Sequence, residues 1–342
     1  MSLLPLPPRR LVLHVGTHKT GTTALQVFLN ANRQQLAQAG VHYPLAGRQL
    51  DGDMSTAGHH QIALEFANQD GSEGFGAVVA EIRLMQAATV VMSSEEFLPL
   101  AAKRGCLETI VATSRELGYE PVAVVVLRSQ PDYLESIFAE IAKIGSVSSI
   151  EDLIDQAAVD GRFTPVNYPR AFELTYTWTI ARLEAIFGIR NVIARAYRPD
   201  RGLDFGQMDF LGVIARLRGG LRLETTGNIA LSNNQRSTLL ELLSNIARFE
   251  PGNVDVEACI RERFPAYDRA DLGRPFSLIT RADRLRLLSR FAADNAALNA
   301  RFGIVIPFVA ESDIRMSDAD DLRAREHRML LAALLRATEG RR

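Results

Sequence analysis

The sequence predicts an α/β protein: a parallel sheet flanked by helices, followed by a mainly helical C-terminal part. Three observations predict it. Buried-type apolar runs alternate with helical periodicities, the first run ends in a glycine-rich turn that opens a helix, and strand signals thin out beyond about residue 205. With 342 residues, 47% of them hydrophobic, the chain can fill one large or two modest cores.

Taken in order, the first strand is Leu11 to Val15, stopping at Gly16. Thr22 to Ala39 reads as one helix, with Leu25, Phe28, Leu29 and Leu36 on one face and Gly40 past its end. Further strands are expected at Thr89 to Met92, Pro121 to Leu127 and Asn191 to Ala196. Helices are expected between them at Gln61 to Asn68, Gly76 to Met85, Leu107 to Leu117, Pro131 to Ile144 and Ala171 to Phe187. Strands alternating with helices imply a parallel sheet covered on both faces, whose ligands bind at the carboxyl ends of the strands.

Past Phe205 the clearest helices are Ser237 to Phe249, Val254 to Phe264, Ala282 to Arg301 and Asp318 to Thr338. The last has Ser317 as N-cap and three aspartates in its first turn, matching the helix dipole. Its Met329, Leu330, Leu334 and Leu335 are assigned to a core, as is Trp178. No repeat or low-complexity linker interrupts the chain. The expectation is one domain over residues 1–342, with an α/β core over 9–204 and a helical part over 205–342.

Charge narrows the function. Asp and Glu number 40 against 39 Lys and Arg, so no net field favours nucleic acid or a membrane surface. The longest apolar runs fall far short of the roughly 20 residues that span a bilayer, and the N-terminal ten residues lack a signal-peptide core. Cys106 and Cys259 make neither a disulfide framework nor a metal cluster. The expectation is a cytoplasmic protein with no metal, no nucleic-acid partner and no integral membrane segment.

Only three of the 39 basic residues are lysine: Lys19, Lys103 and Lys143. Lysine is a compact point charge where arginine is a broad fork, so each is a candidate for work arginine cannot do. Lys103, beside Arg104, is read as having no such role. Lys19 lies in the run Gly16-Thr17-His18-Lys19-Thr20-Gly21-Thr22-Thr23, between the first strand and the first helix. Glycines free the backbone there, helix-start amides face an anion, and threonines add hydroxyls. The lysine precedes the second glycine instead of following it, so the order is not that of the nucleoside-triphosphate loop.

This run, from His14 onward, resembles the 5′-phosphosulfate loop of sulfotransferases that use 3′-phosphoadenosine 5′-phosphosulfate (PAPS), closest to bacterial carbohydrate-type members. A second run is similar to the family's 3′-phosphate element: strand Val124 to Leu127 ends in Arg128, and Ser136 follows eight residues later. The resemblance implies a three-layer P-loop-like fold. Gly16 to Thr23 would hold the 5′-phosphate, Arg128 and Ser136 the 3′-phosphate, and Tyr197 would pack on adenine. The family's tryptophan after the paired threonines is absent, with Ala24 and Leu25 in its place, and Asn228 to Ser232 is a degenerate form of another family element.

Such a transfer needs charge stabilisation, assigned to Lys19, and a base for the acceptor hydroxyl. His60, in Gly58-His59-His60-Gln61, and Glu95, in Ser93-Ser94-Glu95-Glu96, are the candidates. His60 is preferred because histidine titrates near neutrality, leaving Glu95 to orient the acceptor. His59 and His327 are expected at the surface, His14 in the core, His18 along the loop, and Glu96 as a helix-start charge. The acceptor is expected to be a hydroxyl, less readily an amino group, of a carbohydrate or glycolipid, its pocket shaped by the Gly47 to Gly58 loop and the C-terminal helices. A metal-dependent P-loop kinase and a non-catalytic binding protein of the same fold are the competing readings.

Overall fold

A computed structural model describes residues 8–48, 57–69, 71–144, 148–198, 205–218, 238–248, 256, 258, 273, 276–306 and 317–339. Strand β1 (Arg10–His14) leads through the loop into α1 (Thr22–Ala31) and α2 (Arg33–Gln38), then edge strand β2 (Val41–His42). Helices α3 (His60–Asn68) and α4 (Glu73–Met85) precede β3 (Thr89–Ser93), and α5 (Phe97–Leu100) and α6 (Cys106–Glu116) precede β4 (Glu120–Leu127). There follow α7 (Gln130–Ala142), α8 (Ile150–Asp160) and the antiparallel pair β5 (Arg162–Phe163) and β6 (Phe172–Glu173). Helix α9 (Tyr176–Phe187) returns the chain to β7 (Val192–Ala196) and α10 (Phe205–Arg218). Described beyond these are α11 (Leu239–Arg248), α12 (Arg281–Arg290), α13 (Ala292–Phe302) and α14 (Asp318–Glu339).

The main sheet is entirely parallel, in the order β2-β3-β1-β4-β7. The expected α/β architecture, a central parallel sheet flanked by helices, is therefore present. After β1 the chain builds β2 and β3 on one side, then crosses to β4 on the other, so β1 borders the switch point where α/β sheets open a crevice.

Several boundaries differ from the sequence reading for local reasons. The expected helix from Thr22 to Ala39 breaks at Asn32, whose side-chain Nδ2 donates to the Phe28 carbonyl at 2.8 Å and competes with the helix ladder. The expected helix from Ala171 begins only at Tyr176, because Phe172–Glu173 pair with β5 instead. The span Ala282 to Arg301 is interrupted at Phe291. Besides the short α5, the β5–β6 pair and α10, two further elements go beyond those the sequence reading names. One is the two-residue β2, and the other is α8, capped by Ser149 Oγ accepting from the Asp152 amide at 3.2 Å and ended by Gly161 at φ +73°.

The chain forms two compact units, interleaved along the sequence. The first comprises residues 1–128, 177–234 and 301–306 and contains the five-stranded sheet. One of its cores joins Val12, Val91, Val122 and Val124 to Leu25, Phe28 and Leu29 of α1 and Phe210, Val213 and Ile214 of α10. Leu11 and Leu13, which alternate with Val12, are also fully buried, so both sheet faces are covered. The second unit comprises residues 129–176, 235–300 and 307–342. It packs Leu134, Ile137 and Phe138 of α7 with Leu153, Phe163, Leu242, Leu287 and Leu330.

Among the described residues no helix is long and apolar enough to cross a membrane. Trp178, expected in the core, is 45% exposed on α9 beneath the Arg182 guanidinium. His327, expected at the surface, is buried and hydrogen-bonds the Ser277 backbone. In the expected core cluster of α14, Leu330 is buried whereas Met329 is 59% exposed. Lys103, read as without a role, donates to the carbonyls of Phe66 at 2.8 Å and Ala67 at 3.2 Å. It thus closes the C-terminus of α3, work suited to a compact three-donor charge. Asn228 to Ser232, Cys259 and nearly all of the expected helix from Val254 to Phe264 lie outside the described residues, as do residues 49–56 of the Gly47 to Gly58 loop.

Candidate active site

The loop after β1 is shaped by the strand beside it. The Val126 amide donates to the Gly16 carbonyl at 2.6 Å, and Val126 O accepts from the Thr17 amide at 2.8 Å and the Thr17 hydroxyl at 3.1 Å. Gly16 is required twice over: its φ is +88°, and a Cβ there would lie 2.9 Å from Glu95 Cβ. Lys19 holds a left-handed φ of +59°, a conformation costing a non-glycine residue roughly 1–2 kcal/mol. The Thr20 and Thr22 hydroxyls donate to the Thr17 carbonyl at 2.6 and 3.4 Å, so their protons brace the turn and their oxygens remain acceptors. Gly21 then opens α1, whose first helical bond runs from the Leu25 amide to the Gly21 carbonyl. The preceding amides, at Thr22, Thr23 and Ala24, have no carbonyl inside the helix to bond.

On one side of this loop lies the end of β3. His14 is buried in the core as expected, with Nδ1 2.9 Å from Ser93 Oγ, and burial lowers its pKa to about 4. His59, expected at the surface, is instead fully buried. Its amide donates to the Ser93 carbonyl at 2.8 Å, and its Nδ1 accepts from the Ser93 amide at 3.2 Å. Accepting at Nδ1 places its proton on Nε2. Desolvation first, and then the Arg48 charge, hold its pKa well below the usual histidine value. Its ring meets that of Tyr43 edge to face, with centroids 4.9 Å apart.

That two-bond clamp fixes the start of α3 against the end of β3 and brings His60 to Ser94 and Glu95. His60 Nδ1 lies 2.8 Å from Ser94 Oγ and 4.0 Å from Glu95 Oε2. Ser94 Oγ also accepts from the Glu96 amide at 3.1 Å. Gln26 of α1 donates from Nε2 to Glu95 Oε2 at 3.3 Å and to the Ser93 carbonyl at 3.4 Å. Gly58 leaves room for this group: a Cβ there would be 2.6 Å from both His60 Nε2 and Gln26 Nε2. His60 Nε2 has no hydrogen-bond partner among the described residues. Glu96, read as a helix-start charge, is the residue before α5, and its carboxylate lies 3.1 Å from His18 Nε2 of the loop.

On the other side lies the end of β4. Arg128 Nη1 donates to the Lys19 carbonyl at 2.8 Å, and the guanidinium carbon sits 5.3 Å from the centre of the Tyr197 ring. Tyr197, one residue past β7, donates its amide to the Leu127 carbonyl at 2.7 Å, with its ring beside Gly21. The first unit therefore gathers Gly16 to Thr23, His60, Glu95, Arg128 and Tyr197 at the carboxyl ends of β1, β3, β4 and β7. Ser136 lies on α7 of the second unit, and there Lys143 is an exposed partner of Glu140 at 3.0 Å. Sequence reasoning missed Gln26, Ser94 and the burial of His59. For Gln26 the available signal was its place on the inward face of α1, between Leu25 and Leu29.

The buried histidines set an acid limit on stability. A folded-state pKa below the unfolded one means stability is complete above about pH 6.5 and falls as the unfolded chain takes up protons the folded one refuses. For His14, moving from 6.5 to about 4, the loss between pH 7 and pH 4.5 is about 2–3 kcal/mol, and His59 acts with the same sign. Urea midpoints at the two pH values should show this loss and a flatter response in His14→Asn. An unchanged pH response in the variant would contradict the assignment.

No protein-family model matches the chain, and no curated protein matches it. Among solved structures, the crystal structure of a sulfotransferase from Alicyclobacillus acidocaldarius is similar to it, with a TM-score of 0.46 and 13% identity over 89% of this chain and 98% of that one.

Proposed function

We propose that this protein is a sulfotransferase that moves a sulfuryl group from PAPS to a hydroxyl, less readily an amino group, of a carbohydrate or glycolipid. The observation that carries the reading is the pairing of the Gly16–Thr23 loop with Arg128 at the neighbouring strand end, joined through the Lys19 carbonyl. Two basic side chains issuing from adjacent strand ends suit a nucleotide with two separated anionic groups. In this reading the loop amides and Lys19 take the 5′-phosphosulfate and Arg128 the 3′-phosphate. Tyr197 meets adenine on the ground of the sequence resemblance.

The reaction breaks the bond between sulfur and the bridging oxygen of the 5′-phosphate and forms one between sulfur and the acceptor oxygen. The leaving adenosine 3′,5′-bisphosphate keeps the electron pair, and Lys19 stabilises the charge that builds there. The acceptor proton goes to His60. For Nε2 to take it, Nδ1–H must donate to Ser94 Oγ, an orientation the 2.8 Å contact accommodates. Glu95, held by Gln26, orients the acceptor hydroxyl. No step here calls for a metal.

Nucleotide-dependent melting in the presence of EDTA tests the proposal. Adenosine 3′,5′-bisphosphate at 100 times its dissociation constant should stabilise the protein by about 2.7 kcal/mol. ADP should do much less. An equal or larger shift with ATP and magnesium would replace the proposal with a kinase.

A further inference from the structure

We infer that Arg128 is a positioning residue for Lys19, so that the strand end assigned to the 3′-phosphate also sets the geometry of the group at the transferring sulfuryl. The inference rests on the sulfotransferase reading for the roles of the two residues, and on the geometry of the loop and the strand end for their coupling. Lys19 is one of three described non-glycine residues at positive φ, and such a conformation persists only where its surroundings hold it. The end of β4 does so at three successive points. The Val126 amide binds the Gly16 carbonyl, the Val126 carbonyl binds Thr17, and Arg128 Nη1 binds the Lys19 carbonyl at 2.8 Å.

The first two are backbone–backbone bonds, with the Thr17 hydroxyl a second donor to the Val126 carbonyl, and neither uses the Arg128 side chain. The third depends on a guanidinium that is itself placed by the Tyr197 ring at 5.3 Å, while the Tyr197 amide is fixed to the Leu127 carbonyl. A planar fork can direct one Nη at a carbonyl and still present other N–H groups to an anion, whereas a lysine ammonium would have to divide a single point charge between the two. Arg128 therefore links the two phosphate positions. Filling one fixes the arginine, and the arginine fixes the carbonyl of the residue serving the other.

A donor without a 3′-phosphate separates this role from simple phosphate binding. With adenosine 5′-phosphosulfate, Arg128 has no phosphate to grip. Even so, Arg128→Ala should lower kcat about tenfold and change KM for that donor less than twofold, and Arg128→Lys should restore little of the kcat. Equal kcat values for wild type and Arg128→Ala with this donor would overturn the inference.

A second measurement needs no turnover and still decides the matter should the protein prove not to be a sulfotransferase. In the ligand-free protein, Arg128→Ala should speed amide hydrogen exchange at Thr17 about tenfold while leaving Val122 to Val124 of β4 unchanged. Unchanged exchange at Thr17 would overturn the coupling. Failure of PAPS to bind wild type, with the exchange result intact, would remove the sulfotransferase reading and leave the latch.

Discussion

Lys19→Ala should lower kcat by about 10²–10³-fold, the scale for losing one preorganised group at a developing charge. Nucleotide affinity should fall far less. In the proposed reaction the bridging oxygen gains charge as its bond to sulfur breaks, which would make the lysine's contribution larger in the transition state than in the ground state. The loop itself should survive. Its shape comes from Gly16, from the Thr17, Thr20 and Thr22 hydroxyl bonds and from the braces of β4, none of which uses the lysine side chain. Steady-state turnover alongside calorimetric binding of adenosine 3′,5′-bisphosphate separates the two effects. Normal turnover in the variant would refute the role, and equal losses in turnover and affinity would make Lys19 a ground-state anchor.

His60→Ala should lower kcat by about 10²–10⁴-fold, the usual yield of a positioned general base. Added imidazole should restore part of it, because the space vacated beside Gly58 and Gln26 admits a ring of that size. Glu95→Gln should cost less. The glutamine keeps the side chain's volume and one carbonyl to accept from Gln26, losing only the charge proposed to orient the acceptor. Imidazole should give that variant nothing. The reverse pattern, a small loss in His60→Ala and a large one in Glu95→Gln, would transfer the base role to Glu95.

The parts of this arrangement legible in the sequence are those coded locally. A strand run ending in glycine, a lysine inside a threonine-rich turn, and an arginine closing an apolar strand each occupy consecutive residues. Their strands appear where expected to within one or two positions. What escaped depends on partners distant in sequence. His59 is buried because its ring and amide engage Ser93, 34 residues away, and nothing in the dipeptide His59-His60 distinguishes the inward histidine from the outward one. Gln26 holds Glu95 across 69 residues.

Other misses were readable. On α9 the buried positions are Tyr176, Thr179, Ile180, Leu183 and Phe187, a helical stripe that excludes Trp178. On α14 the stripe Ala324, His327, Leu330 and Leu331 includes the histidine expected at the surface. Helical phase outweighed residue type in both cases.

The most direct measurement is transfer of sulfur label from PAPS, in EDTA, to a mixed set of oligosaccharides and glycolipids. The account predicts a labelled sulfate ester and adenosine 3′,5′-bisphosphate in equal amounts, dependent on acceptor and lost in Lys19→Ala. Release of label only as inorganic sulfate, at one rate with and without acceptors, would contradict it.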